Sequence, residues 1–170
     1  MDIIELIKTR RSIRKFDTTK SVSVEQQNLL LTAAMYAPSA GNQQVWHFIT
    51  ITNKLTFDKI NEFHPYSSML KNADLAILVC GDSSIEIKPG YWPVDCSAAT
   101  QNILLAAHGL GLGAVWLGVY PVPERQNGMS QLLNLPEHIH PFSLVAIGYP
   151  AEEKKMTERF KSERVHSEKW

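Results

Sequence analysis

The stretch from Trp92 to Leu110 limits the possible folds more than any other part of the chain. Ala99, Ile103, Ala106 and Leu110 fall on one side of a helix. Ala98, Leu104, Leu105 and Ala107 widen that stripe until it nearly encircles the axis. A helix apolar all round belongs in a core or an interface. Its neighbours supply the partner layer. "DLAILVC" (74–80) is a short continuous apolar run, the pattern of a strand buried on both faces. "GAVWLGV" (113–119) and "FSLVAIGY" (142–149) read the same way, and "VWHFITIT" (45–52) is rich in aromatic and β-branched residues. Helices are expected over 2–8, 23–37, 54–63 and 122–134. The second opens on Ser23 with Gln26 at capping-box spacing and stops at Pro38; the last has Pro121 and Pro123 at its start. Helices come first, then strands and helices interleave, so an α+β or α/β domain with one buried sheet is expected. The 170 residues suit a single domain. About four strands wrapped by many helices, one of them apolar nearly all round, fit burial against a second copy of the chain.

Charge and cysteine narrow the function classes. Lys plus Arg and Asp plus Glu are both 17, so nothing global points to nucleic acid or an anionic membrane. Cys80 and Cys96 form no CxxC and sit in or beside apolar stretches, which reads as buried thiols in a reducing compartment. Ile3, Ile4, Leu6 and Ile7 are too short a run for a signal-peptide core, and Leu75–Cys80 is far short of a membrane span. A soluble cytoplasmic protein is the expectation. Charge is nonetheless uneven: eleven of the last twenty residues, 151–170, are charged, and the segment ends on Trp170, an aromatic that normally seeks burial.

One local motif breaks the neutrality. "RRSIRKFD" (10–17) puts Arg10, Arg11, Ser12 and Arg14 within five positions. Arginines offer bidentate, permanently charged donors and serine a neutral one, a set that can surround a phosphate. A solvated basic turn has the same composition, and so does a nucleic-acid arm, which the neutral chain and the lack of a second patch disfavour. "PSAGNQQ" (38–44) supplies side-chain amides that could meet the polar edge of a heterocycle, or serve only as turn residues. "GLGLG" (109–113) is not a dinucleotide loop, because it follows a helix and leads into a strand; Gly109 or Gly111 is expected to take the left-handed cap. His138 and His140 lie between Pro136 and Pro141 and read as a surface loop rather than a metal site. Hydrolase motifs are absent.

Four segments in order resemble the nitroreductase family of dimeric flavin mononucleotide (FMN) enzymes: "RRSIRKF", "APSAGNQQVWHF", "DCSAATQNILLAAHGLGLGAVWLG" and "ERFKSERVHSEKW". The resemblance runs from about Ile3 to Trp170. It implies one nitroreductase-like α+β domain over 1–170, with a small mixed, mainly antiparallel sheet flanked by helices, in an intertwined homodimer whose 151–170 arm crosses to the partner. It implies FMN as cofactor, with Arg10, Arg11 and Ser12 at its phosphate and ribityl chain, Arg14 at the N1/O2 edge of the ring, and Arg159 as a late phosphate ligand. Pro38, Ser39, Ala40 and Asn42 would reach the ring from the second protomer, and Leu117 and Gly118 would meet N5 and O4 through backbone N–H groups. Lys15 has no assigned partner. Val45 departs from a common proline and Ser167 from a common aromatic, both away from the ring. The implied chemistry is ping-pong: hydride passes from NADH or NADPH through the flavin to a nitroaromatic, quinone or similar planar acceptor. No metal and no catalytic side chain are implied. The alternative with the same fold is a flavin storage or redox-sensing protein with little reductase activity. A flavin-fragmenting or dehalogenating relative would need a lid, for which "HPYSS" (64–68) and 83–93 offer the nearest material.

Overall fold

The computed structural model describes residues 2–170. Its elements in chain order are α1 (Ile3–Thr9), α2 (Val24–Met35), β1 (Trp46–Ile51), α3 (Lys54–Phe63), β2 (Leu75–Asp82), α4 (Trp92–Gly109), β3 (Gly113–Gly118), α5 (Pro123–Leu132) and β4 (Ile139–Gly148). The strands form one sheet in the order β1-β2-β4-β3, and all three pairings are antiparallel. Ser12 adds a parallel bridge to Ala114 on the outer edge of β3. The sheet is therefore mixed but mainly antiparallel.

All eight positions of β2 are buried, as its unbroken apolar run requires. Leu75, Ile77 and Val79 point to one face, where Leu30 and Ala34 of α2 and Ala99, Ile103 and Ala107 of α4 cover them. Ala76, Leu78 and Cys80 point to the other, against Phe57 and Ile60 of α3 and Met129 of α5. The period-two alternation of the strand thus feeds two separate cores in a helix–sheet–helix sandwich. Ser23 and Gln26 close the expected capping box on α2. Leu112 N–H donates to Ala107 O at 2.8 Å and Gly111 takes φ +74°, so Gly111 supplies the left-handed end of α4. Both cysteines are free and buried; burial pushes the Cys80 thiol up to about 12 and raises Cys96 as well. Among the described residues no helix is long and apolar enough to cross a membrane.

Two expectations change. β4 begins at Ile139, three residues before the strand read from the sequence, because Pro141 does not break it. The register shifts between Val79 and Cys80, which pair with Ser143 and Pro141, so Phe142 is an extra residue in a bulge. His140 accordingly sits in β4 opposite Gly81, not in a surface loop. The 10–17 segment is also no simple turn. It runs extended along the sheet edge, with Ile13 N–H on Ala114 O at 3.0 Å and Asp17 N–H on Tyr149 O at 2.9 Å. Ile13 and Phe16 are buried beneath it.

Glycines make that docking possible. A Cβ at Gly113 would lie 2.7 Å from Ile13 Cγ2, and one at Gly148 3.0 Å from Phe16 Cδ1. Gly113→Ala is therefore expected to lower the stability by about 2 kcal/mol, the range of core overpacking. Urea unfolding checks this; a loss below about 0.5 kcal/mol would mean that the edge segment is not held by this contact.

Candidate functional site around the edge segment and the end of β3

Arg10 ends α1, where its N–H donates to Leu6 O at 3.1 Å, and its side chain is half-buried. Burial first, then the neighbouring Arg159 and Arg11 guanidiniums, press its pKa below the ordinary arginine value. Arg11 turns inward: Nη1 donates to Lys8 O and Arg10 O, both at 2.7 Å, and Nε to Lys155 O at 3.2 Å. Its Nη2 is buried and has no partner. His108 of α4 feels the same charge; burial, then Arg10 and Arg11, lower its pKa. Among the described residues none of Arg10, Arg11, Arg14 or Arg159 makes an ion pair. The fold thus gathers three of the sequence-predicted arginines into one cationic cluster without an ion pair.

The segment is clasped by the start of the 151–170 stretch. Glu152 Oε1 accepts from Arg14 N–H at 2.6 Å and Lys15 N–H at 3.2 Å, and Lys154 Nζ donates to Ser12 O at 2.8 Å. The Arg14 N–H bond is the main reason the Glu152 carboxyl is held below the usual range. Beyond that clasp the stretch meets solvent; Trp170 is fully exposed in the isolated chain and stacks on the His166 ring at 4.3 Å.

Because the edge segment runs parallel to β3, Arg14 is carried toward the Leu117–Gly118 end while Arg10 stays behind. Arg14, Leu117 and Gly118 line one cleft of about 440 Å³. His64, Tyr66 and Arg125 line it too; sequence reasoning placed His64 and Tyr66 only in a candidate lid segment and missed Arg125. No motif marks them. His64 and Arg125 lie 54 and 7 residues from Gly118 and meet only through the fold: His64 Nε2 bonds Gly118 O at 3.0 Å and Arg125 Nη1 donates to it at 2.9 Å. A Cβ at Gly118 would meet nothing within 4 Å, so its α-carbon borders open space.

Pro38, Ser39, Ala40 and Asn42 do not line this cleft. They form a separate loop with a short 3₁₀ turn, Ala40–Asn42, in which Gly41 and Asn42 both take positive φ. Asp95 in the first turn of α4 holds it: Oδ1 accepts from Ala40 N–H at 2.9 Å and Oδ2 from Gln43 Nε2 at 2.7 Å. Gln43 Oε1 accepts from Ile87 and Lys88 N–H, both at 2.9 Å, and ties in the 83–93 loop. Gln43 is therefore buried and structural, while Gln44 Nε2 spends a donor on Asn42 Oδ1 at 2.8 Å. His47 lies 3.4 Å from Asp82, and His140 Nε2 lies 2.9 Å from Ser83 Oγ; among the described residues no histidine, cysteine or carboxylate group is arranged to hold a metal.

A four-stranded, mainly antiparallel sheet between helical layers, with an arginine-rich edge segment beside a glycine-ended strand, defines an α+β class. The chain belongs to the nitroreductase family, whose model matches residues 7–64 and 61–149. It is 52% identical over 170 residues, 100% of this chain and 88% of the relative, to a Methanothermobacter thermautotrophicus protein provisionally named NADH dehydrogenase/NAD(P)H nitroreductase. An FMN-dependent nitroreductase from Clostridium difficile superposes with a TM-score of 0.91 at 30% identity, covering 99% of this chain and 100% of that one. A provisionally named nitroreductase from Desulfovibrio desulfuricans, crystallised in complex with FMN, gives a TM-score of 0.86 at 31% identity, covering 100% and 98%.

Proposed function

We propose that the protein is an FMN-dependent oxidoreductase that takes hydride from NADH or NADPH and delivers it to a nitroaromatic, quinone or similar planar acceptor. One observation carries the reading: the edge segment 10–14 joins a cluster of arginines without ion pairs to a cleft that ends at Gly118. The residues suit the cofactor. Arg10, Arg11 and Arg159 form a cationic cluster in want of an anion, and the buried, partnerless Arg11 Nη2 is a donor that a phosphate oxygen would satisfy. Ser12 lies between this cluster and Arg14 on the same extended run. The open space at Gly118 lets a planar ring approach the backbone of Leu117 and Gly118. The relatives named for FMN and nicotinamide support the same assignment.

FMN, when bound, supplies hydride acceptance and onward transfer. The protein's part is to orient, to exclude water and to set electronics. Arg14 places a fixed cation at the cleft, which favours the ring state that carries negative charge. The Pro38–Asn42 loop, absent from the cleft of its own chain, fits a contribution from a second protomer. The exposed Phe160 and Trp170 fit an arm laid over that partner.

The absorption spectrum of the purified protein with FMN, before and after NADH and NADPH without oxygen, tests the reading. A protein that stays colourless after FMN is added and desalted would end it. Arg10→Ala is expected to weaken FMN binding about tenfold, the loss of one charged hydrogen-bond partner, read by quenching of FMN fluorescence. Arg14→Met is expected to retain FMN and lower its reduction potential; an unchanged potential would remove Arg14 from the ring.

A further inference from the structure

The cleft holds a second cation that the proposed function leaves without a role. Arg125 enters it from the first turn of α5. Its Nη1 is fixed on Gly118 O at 2.9 Å, and its guanidinium carbon stands 5.3 Å from the centre of the Tyr66 ring. The same carbonyl is shared with His64 Nε2 at 3.0 Å. A carbonyl only accepts, so Nε2 carries the proton. Burial, opposed by the Gly118 bond and helped by the Arg125 charge, keeps the His64 pKa below the ordinary imidazole value. His64 therefore holds Arg125's acceptor in place without adding charge of its own.

The rest of the Arg125 guanidinium is uncommitted. Among the described residues neither Nε nor Nη2 makes a hydrogen bond, and neither is sealed from solvent. Among these residues Arg125 makes no ion pair either. Among the described residues Arg14 is the other cation of the cleft, and no aspartate or glutamate lines it. Two guanidiniums facing one cavity without a carboxylate repel each other until an anion enters. Arg14 is already placed beside the ring of the cofactor. Arg125 is left for the second occupant, and Tyr66 beside it offers a flat apolar surface, 68% exposed.

We infer that Arg125 selects acceptors that are planar aromatic carboxylates, the ring lying in the cleft and the carboxylate meeting the free Arg125 donors. This rests on the proposed function, because it assigns Arg14 to the cofactor. A purely structural Arg125, propping the Gly118 carbonyl, would confer no preference for charge.

The test uses the FMN-loaded protein and two ligand pairs that differ only in charge: benzoate with benzamide for binding, and 4-nitrobenzoate with 4-nitrobenzamide for turnover. Perturbation of the flavin spectrum reads binding to the oxidised protein, and steady-state rates read KM. Wild type is expected to bind benzoate about tenfold more tightly than benzamide, the worth of one charge-assisted hydrogen bond. Arg125→Gln keeps a donor for the Gly118 carbonyl and should erase that ratio in both assays, while Arg125→Lys should restore most of it. Equal binding of benzoate and benzamide by wild type overturns the inference whatever the variants do. So does a ratio that survives in Arg125→Gln, or KM values for the nicotinamide that move as far as those for nitrobenzoate, since the anion read would then be the nicotinamide's phosphates. A yellow protein without the ratio loses this inference alone. A protein that takes up no FMN loses the proposed function as well.

Discussion

Gly118→Leu should yield a protein that folds as stably as the parent and binds FMN about a hundredfold more weakly. The two halves of that result come from one fact. A Cβ at Gly118 meets nothing within 4 Å, so the substitution displaces no packed neighbour and is expected to change stability by no more than about 0.5 kcal/mol. The open space it fills is the cleft shared by Arg14, His64 and Arg125. A branched side chain there would occupy the approach to the backbone at the end of β3, and an overlap that cannot relax costs about 3 kcal/mol, which is about a hundredfold in affinity. Urea unfolding and FMN fluorescence quenching read the two halves separately. Unimpaired FMN binding in a folded Gly118→Leu protein would place the ring elsewhere. The contrast with Gly113 sharpens the test, since a side chain there strikes Ile13 at 2.7 Å and should cost stability first.

Asp95→Ala should be the most destabilising of these changes, by about 3 kcal/mol. Asp95 is 2% exposed and accepts two hydrogen bonds, from Ala40 N–H and Gln43 Nε2. Removing the carboxylate leaves Ala40 N–H and the buried Gln43 amide without partners, and Gln43 in turn holds the N–H groups of Ile87 and Lys88. The acid also lies in the first turn of α4, where negative charge meets the positive end of the helix dipole. Asp95→Asn, which keeps one acceptor oxygen, should lose about half as much. Equilibrium unfolding of both variants measures the difference. A loss below about 1 kcal/mol in Asp95→Ala would mean that the 38–44 loop finds other acceptors.

The sequence made the core legible wherever burial is local. The apolar run of β2 and the capping box at Ser23 could be read directly, because their physics lies within a few neighbouring residues. β4 was read short because Pro141 normally ends a strand; the bulge that admits it depends on a register with β2 that no local pattern encodes. The arginine cluster was half legible. Four cations in one motif advertise a charge requirement, but only the fold shows that Ile13 and Phe16 pin the segment to the sheet edge and that Glu152 and Lys154 clasp it. The resemblance to the nitroreductase family, not periodicity, singled out Arg159, and the structure sets it beside Arg10. His64 and Tyr66 showed only as part of a candidate lid segment and Arg125 stayed hidden, because the surroundings they share come from elements far apart in the chain.

β2 is an interior strand of the sheet. It is hydrogen-bonded between β1 and β4 and covered on both faces, so its amide protons have no local opening through which to reach deuterium. Their exchange should wait on the unfolding of the whole domain. The slowest amides therefore act as an internal gauge of global free energy. A ligand that binds only the folded chain slows them by the factor one plus its concentration over its Kd. Affinity for FMN or an aromatic carboxylate can thus be read from Leu75–Asp82, a strand that lines none of the cleft.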